Sequence, residues 1–154
     1  MHQAFERRFE VAGSPAQVWT TITDVQRLVS WISVLHSARE LEPLAKYTAT
    51  LEDRLGPFRL RADLDVAVTD ATVPRSMTVQ AEGEDRQVGS RISVVGTLTL
   101  EQVDAGTAIT VLGEFEVTGK AASLGASSIR KKANTILDEF CNSAVAELGS
   151  VSSA

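Results

Sequence analysis

The chain has 154 residues, of which 44% are hydrophobic and 23% charged, a composition that indicates one globular domain and excludes a disordered chain. The net charge of −5 argues against nucleic acid as the main partner, since phosphate binding requires a basic surface. The single cysteine, Cys141, excludes an internal disulfide, and no apolar run approaches the ~18 residues of a membrane-spanning helix.

Residues 3–11 alternate between apolar and polar side chains, which is typical of a strand with one buried face. Arg7 interrupts the apolar side, and we expect it near the open end of this strand. Ser14 and Gln17 are spaced as a capping box around a proline, so a short helix begins there. A second short helix is predicted from Val25 to about Trp31.

Six further stretches joined by short turns are predicted as strands, and all but the first alternate in the same way. They cover residues 39–43, 47–55, 58–69, 76–82, 90–102 and 107–118. Turns are predicted at Gly56-Pro57 and at Asp104-Ala105-Gly106, with a polar hairpin loop over 83–89. Short connections favour an antiparallel meander.

The C-terminal part of the chain predicts one long helix from about Ser123 to Leu148. Apolar residues recur there at steps of three and four, at Ile129, Ala133, Ile136, Phe140, Ala144 and Leu148. Gly149 stands where helices usually end with glycine. Cys141 lies on this helix, and we expect it to be a semi-buried structural thiol.

These elements predict an α+β fold of the helix-grip type. A curved seven-stranded antiparallel sheet wraps around the long C-terminal helix, and two short helices follow strand 1. We expect residues 1–149 to form one domain that binds a ligand. Residues 150–154 are interpreted as a tail that begins a truncated C-terminal linker.

Several residues on the inward face of the sheet are small, among them Gly96 and Gly113 in mid-strand. Glycine inside a strand marks a bend or the close approach of another group. Two interpretations remain open: the glycines bend the sheet or let the helix pack closely, or they leave an apolar cavity of a few hundred Å³.

The sequence offers little catalytic chemistry. His36 is the one histidine that a catalytic set could use, and a surface or gate role fits it better. Metal-binding spacings and phosphate-binding glycine motifs are absent from the sequence. The apolar segment from Trp31 to Leu35 either covers the groove as a lid or wall, or forms an exposed contact patch. The basic run from Arg130 to Lys132 is a solvated face, or a contact for an anionic membrane or an acidic partner.

Five segments carry a family resemblance: FEVAGSPAQVWTTITD (9–24), LGPFRLRADLDVAVTD (55–70), AEGEDRQVGSR (81–91), LTLEQVDAGTAITVLGEFEVTGKAASLG (98–125) and ILDEF (136–140). The chain resembles the START-like helix-grip (SRPBCC) superfamily and, within it, the CoxG family of carbon monoxide dehydrogenase subunits. The resemblance covers nearly the whole chain. Its motifs specify a family rather than a catalytic mechanism.

The resemblance implies a non-catalytic accessory protein of molybdenum CO dehydrogenase, cytoplasmic and peripheral at the inner face of the cell membrane. Joined to the cavity interpretation, it implies a hydrophobic ligand, a respiratory quinone such as menaquinone or ubiquinone, and no metal or covalent cofactor. Two alternatives stay open. One is a docking module with a filled core, and the other is a helix-grip enzyme of the cyclase or hydrolase type.

The ligand contacts expected under this hypothesis come from the sheet, the long helix and the loop after the second short helix. Trp31 and Leu35 would form the gate, facing the helix's first turns around Leu124 and Ile129. Gly96 and Gly113 would leave room for an isoprenoid tail. The cavity wall would comprise Phe58, Leu60, Leu64, Met77, Val94, Leu98, Val111, Phe115, Ile129, Ile136 and Phe140.

Overall fold

The structure, a computed structural model, describes residues 1–151 except Gly56, Arg86 and Val88. For Leu55 and Phe58 it describes only the backbone. The elements of these described residues follow in chain order. They are β1 (His2–Val11), α1 (Pro15–Ile22), α2 (Val25–Trp31), β2 (Leu35–Glu42), β3 (Lys46–Leu55), β4 (Phe58–Thr72), β5 (Ser76–Asp85), β6 (Ser90–Val103), β7 (Gly106–Gly119), a 3₁₀ helix (Lys120–Leu124) and α3 (Ala126–Leu148).

Within the described residues the strands form one seven-stranded antiparallel sheet in the order β1-β7-β6-β5-β4-β3-β2. The strands from β2 to β7 pair as successive hairpins, and β1 pairs with β7. Among the strands, β1 lies nearest to the backbone of α3. This arrangement confirms the predicted α+β helix-grip fold, with the long helix held on the concave face of the sheet.

Local sequence signals explain the two short helices. The Ser14 hydroxyl accepts the N–H of Gln17, and the Gln17 side chain accepts the N–H of Ser14, which confirms the predicted capping box. The Asp24 carboxylate accepts the N–H groups of Gln26 and Arg27 at the start of α2. These caps fix the entry angles of both helices, so that α1 presents Val18, Trp19 and Ile22 to the core.

One end of the groove is a packed core. Its buried members come from β1, both short helices, β6, β7 and the last turns of α3: Val11, Val18, Trp19, Ile22, Trp31, Leu98, Leu100, Ile109 and Ala144. Ile109 and Ala144 are both completely inaccessible to solvent. We call this cluster the packed end, and it is where the C-terminal half of α3 is held.

The long helix begins at Ala126, three residues later than the predicted Ser123. Gly125 has a φ of 91°, a backbone conformation that side chains disfavour and that separates α3 from the 3₁₀ helix before it. Leu124 therefore lies in the 3₁₀ helix rather than in α3. The predicted C-terminus is confirmed, because α3 ends at Leu148 and Gly149 donates its N–H to Val145 O.

Three predicted segments lie partly outside the described residues. Gly56, the first residue of one predicted turn, lies outside them, as do Arg86 and Val88 of the predicted loop over 83–89. The first three residues of that loop are described and continue β5 instead. Of the predicted tail, residues 152–154 also lie outside. Ser150 forms an isolated β-bridge with Val11.

The expected position of Arg7 was wrong. Arg7 lies in the middle of β1 opposite Val111, and its Nη1 donates to Asp138 Oδ1 of α3 at 2.6 Å. The alternation of β1 turns this side chain toward the helix, where an ion pair satisfies it. Cys141 lies beside the pair and is buried, as expected. Burial raises the pKa of the Cys141 thiol, and the Arg7 guanidinium acts in the opposite direction.

We expect Ser14→Ala to lower the free energy of unfolding by about 1 kcal/mol, because the substitution removes the N-cap acceptor of α1. Ser14→Thr keeps a hydroxyl at the same position and should retain most of the stability. Urea unfolding followed by circular dichroism measures both variants. Equal losses in the two variants would contradict the capping role.

We expect Cys141 to react with iodoacetamide far more slowly in the folded protein than in urea, since the thiolate is the nucleophile. Because folding raises the pKa of this thiol, its ionisation favours the unfolded chain. The contribution of the protonated thiol to folding stability is therefore fully present below the pKa of the unfolded thiol. It is lost as pH rises from there through the higher pKa of the folded thiol. Mass spectrometry of the labelled protein reports one site, and equal rates in both states would refute the burial.

Candidate functional site

The opposite end of the groove is only partly filled, because the smaller buried cluster of Val117, Ala121 and Ile129 leaves a space beside it. A cavity of about 250 Å³ lies between the first half of α3 and the sheet. Its lining residues come from β1, β3, β4, β6, β7, the loop after α2, the 3₁₀ helix and α3, so five of the seven strands contribute. Five of the predicted site residues line it: Leu60, Val94, Phe115, Ile129 and Ile136. Its volume lies just below the ~300–1,000 Å³ typical of small-molecule pockets.

Ten further lining residues were not among the predicted site residues. They are Phe5, Val34, Leu51, Asp53, Ile92, Val117, Ala121, Lys132, Ala133 and Leu137. Strand alternation had already placed several of these side chains on the inward face. Alternation alone does not distinguish the inward residues that border a void from those that pack against neighbours.

The remaining predicted site residues lie elsewhere in the groove. Trp31 and Leu98 are buried in the packed end, and Met77, Val111 and Phe140 pack against it. Leu64 is buried on β4, Leu35 is half-buried at the start of β2, and Leu124 is half-buried in the 3₁₀ helix. The side chain of Phe58 lies outside the described residues. Contact of any of these residues with a ligand stays a prediction.

The position of Trp31 corrects the expected geometry of the gate. Its Nε1 donates to Glu147 Oε1 at 3.1 Å, and its ring packs against Phe140 with centroids 6.1 Å apart. Glu147 also binds Arg27 of α2. Trp31 therefore faces the last turns of α3 and not the first turns around Ile129. It closes the packed end, because the short helices and the C-terminus of α3 meet there.

One residue of the apolar segment after Trp31, Val34, forms part of the cavity wall, whereas Ile32 packs against the packed end. Val34 lines the cavity and is 9% exposed. The N–H of the preceding Ser33 donates to Glu139 Oε2 of α3 at 3.2 Å, and its hydroxyl donates to Glu139 Oε1 at 3.0 Å. These bonds hold the loop against the helix, which favours the wall interpretation over an exposed contact patch.

Gly96 and Gly113 face each other across β6 and β7, and the ring of Phe5 lies over both. A Cβ on Gly113 would come within 2.8 Å of Phe5 Cζ and 2.1 Å of Val95 O. A Cβ on Gly96 would lie 3.6 Å from the same Phe5 atom. The glycines therefore admit the Phe5 ring, and Phe5 in turn forms part of the cavity wall.

Among the lining residues that the structure describes, the charged ones are Asp53 and Lys132. Lys132 Nζ lies 2.8 Å from Asp53 Oδ2, with 39% and 19% of the two side chains exposed. The sequence carried a signal for both residues. Asp53 continues the inward alternation of Tyr47, Ala49 and Leu51, and Lys132 follows Ile129 at helical spacing. Of the basic run on α3, this member turns toward the cavity.

Other chemistry is limited in the part of the chain that the structure describes. His36 Nδ1 lies 2.9 Å from Glu52 Oε2, and both side chains reach solvent. No three metal-ligating side chains come together among the described residues. Within the same residues, no helix combines the length and the apolar character needed to cross a bilayer.

Solved structures with the same fold are numerous. A conserved protein from Geobacillus kaustophilus superposes with a TM-score of 0.79 at 21% identity, over 96% of this chain and 95% of that chain. A START superfamily protein from Mycobacterium smegmatis gives 0.71 at 12% identity, over 96% and 97% of the two chains. The ZhuI aromatase/cyclase from Streptomyces sp. R1128 gives 0.67 at 15% identity, over 96% and 94%. At these identities the likeness shows the fold alone.

Among curated proteins, none matches this chain. One protein family matches over residues 8–149, which include all seven strands of the described sheet in whole or in part and all of α3. That family is CoxG, the G subunit of carbon monoxide dehydrogenase. Together with the START-type fold, this match confirms the resemblance of the five sequence segments, and the chain belongs to the CoxG family.

Proposed function

We propose that this protein is a non-catalytic accessory protein of molybdenum CO dehydrogenase that binds a respiratory quinone and links the enzyme to the membrane. The observation that carries the proposal is the cavity between α3 and the sheet, whose described lining residues are apolar apart from one ion pair. The family name supplies the partner, since it describes its members as a subunit of carbon monoxide dehydrogenase. The quinone and the membrane go beyond that description.

The chemistry of the cavity supports a ligand that is largely apolar. Buried apolar side chains such as Leu60, Val117 and Ile129 gain from covering an apolar molecule, by about 25 cal/mol per Å² removed from water. A quinone ring presents two carbonyl oxygens that need hydrogen-bond donors, and the Lys132 ammonium offers them. The limited volume suits a ring, so a long isoprenoid tail would extend out of the groove.

The proposed location follows from the ligand. Menaquinone and ubiquinone reside in the bilayer, so a carrier must meet the inner face of the cell membrane and the cytoplasmic dehydrogenase in turn. Arg130 and Lys131 are exposed on α3 next to the cavity residue Lys132. Their positive charge supports contact with anionic lipid headgroups near the cavity.

A docking module without a ligand is the second candidate, and the small volume of the cavity favours it. In that function α3 and the sheet would serve only to present a surface to the dehydrogenase. A catalytic function is the third candidate. It is supported only by a fold shared with an aromatase/cyclase, and the chemistry around the cavity offers one ion pair rather than a catalytic set.

We expect the purified protein to take up menaquinone or ubiquinone from liposomes, as measured by lipid extraction and native mass spectrometry. Ala133→Phe should abolish this uptake, because residue 133 lines the cavity and a phenyl ring would fill it. Ala146→Phe is the matched control, since Ala146 is exposed on the same helix. Both variants should still bind the dehydrogenase in a pull-down assay.

An unloaded wild-type protein that still recruits the dehydrogenase would refute the carrier function and leave the docking module. Uptake that is equal in the wild type and in Ala133→Phe would place the quinone outside this cavity.

A further inference from the structure

The Asp53–Lys132 pair occupies a particular place in the groove. The backbone of α3 runs closest to β1, at one edge of the sheet, whereas β3 lies near the opposite edge. The contact between Lys132 Nζ and Asp53 Oδ2 therefore spans the groove from the helix to β3. Both residues also line the cavity. A ligand that enters between α3 and the sheet meets this pair as its polar contact.

The geometry of Asp53 is fixed from two sides. Its Oδ1 accepts the N–H of Arg54 at 2.8 Å, and its Oδ2 binds Lys132 at 2.8 Å. With 19% of its side chain exposed, the carboxylate is screened less by water than a surface charge. Lys132 therefore carries its positive charge next to a held negative charge.

The Asp53–Lys132 pair interacts differently with charged and with neutral ligand head groups. A carboxylate that approached Lys132 would also approach Asp53, and like charges in close proximity repel each other. A neutral carbonyl oxygen meets no such repulsion. The ammonium has three donors, so it can bond to a carbonyl while it keeps the contact with Asp53.

We propose that Asp53 determines the head-group selectivity of the cavity. Its negative charge compensates the positive charge of Lys132, so that the cavity accepts neutral carbonyl compounds and rejects fatty-acid carboxylates. This inference rests on the proposed function, because it concerns the same cavity. It names the ligand class as apolar molecules with an uncharged carbonyl head, to which quinones belong. It also accounts for the discrimination that a carrier needs at a membrane, where fatty acids too have long apolar tails.

The test compares two probes with the same tail, dodecanoate and methyl dodecanoate, together with ubiquinone carrying one isoprenoid unit. Isothermal titration calorimetry at low salt measures each dissociation constant for the wild type, Asp53→Asn, Lys132→Met and Asp65→Asn. Asp65 is exposed on the neighbouring strand β4 and does not line the cavity, so its variant is a matched control. Thermal unfolding verifies that each variant is folded.

We expect the wild type to prefer the methyl ester. Asp53→Asn should shift the preference toward dodecanoate by at least about tenfold, because the Lys132 charge is no longer neutralised. Lys132→Met should weaken the binding of ubiquinone and of methyl dodecanoate without strengthening the binding of dodecanoate. Asp65→Asn should leave the preference of the wild type unchanged.

Two results would overturn the inference in distinguishable ways. If the wild type binds both the ester and ubiquinone, and Asp53→Asn leaves the preference unmoved, the selectivity role is refuted and the ligand-binding function stands. If neither the ester nor ubiquinone binds the wild type, the ligand-binding function fails and the inference fails with it.

Discussion

The structure depends on the packing of one half of α3. Ala144, completely buried, brings the last turns of the helix against Ile109 of β7 and against the two short helices. The first turn is held as well, since Ile129 packs with Val117 and Ala121 and Gln3 Nε2 donates to Ala126 O at 2.9 Å. Between these two ends a straight helix cannot follow the curvature of a twisted sheet along its whole length. The first half of α3 therefore lies away from β3 and β4, the strands toward the edge of the sheet that is opposite β1. The cavity is a consequence of this separation.

Polar contacts then set how far the helix stands from each side of the groove. Arg7 of β1 binds Asp138, Ser33 of the loop binds Glu139, and Lys132 binds Asp53 of β3. Each contact joins α3 to a different neighbour, and each lies partly within reach of water. Pairs of this kind contribute little stability individually. Their larger effect is to define the position of the helix, and with it the width of the cavity.

The two glycines of the central strands show how the same residues can serve packing and cavity together. Gly113 has no room for a side chain because the Phe5 ring and the carbonyl of Val95 lie against it. The ring fills the space over both glycines and presents its other surface to the cavity. The small residues therefore do not form the void themselves, and the void begins beyond Phe5. This separation leaves an apolar wall into which one ion pair introduces the only charge among the described lining residues.

Local patterns in the sequence determined the order of the elements, the capping box at Ser14, the helix end at Gly149 and the family. These features depend on neighbouring residues, so one chain suffices to predict them. The tertiary structure alone decided that Trp31 meets Glu147, that Phe5 covers Gly96 and Gly113, and that Lys132 meets Asp53. Alternation predicts that Asp53 faces inward, but it does not predict what stands opposite. Which inward residues border the cavity depends on how far α3 lies from each strand. The spacing of residue types along the chain does not predict that separation, because α3 is distant in sequence from most of the strands.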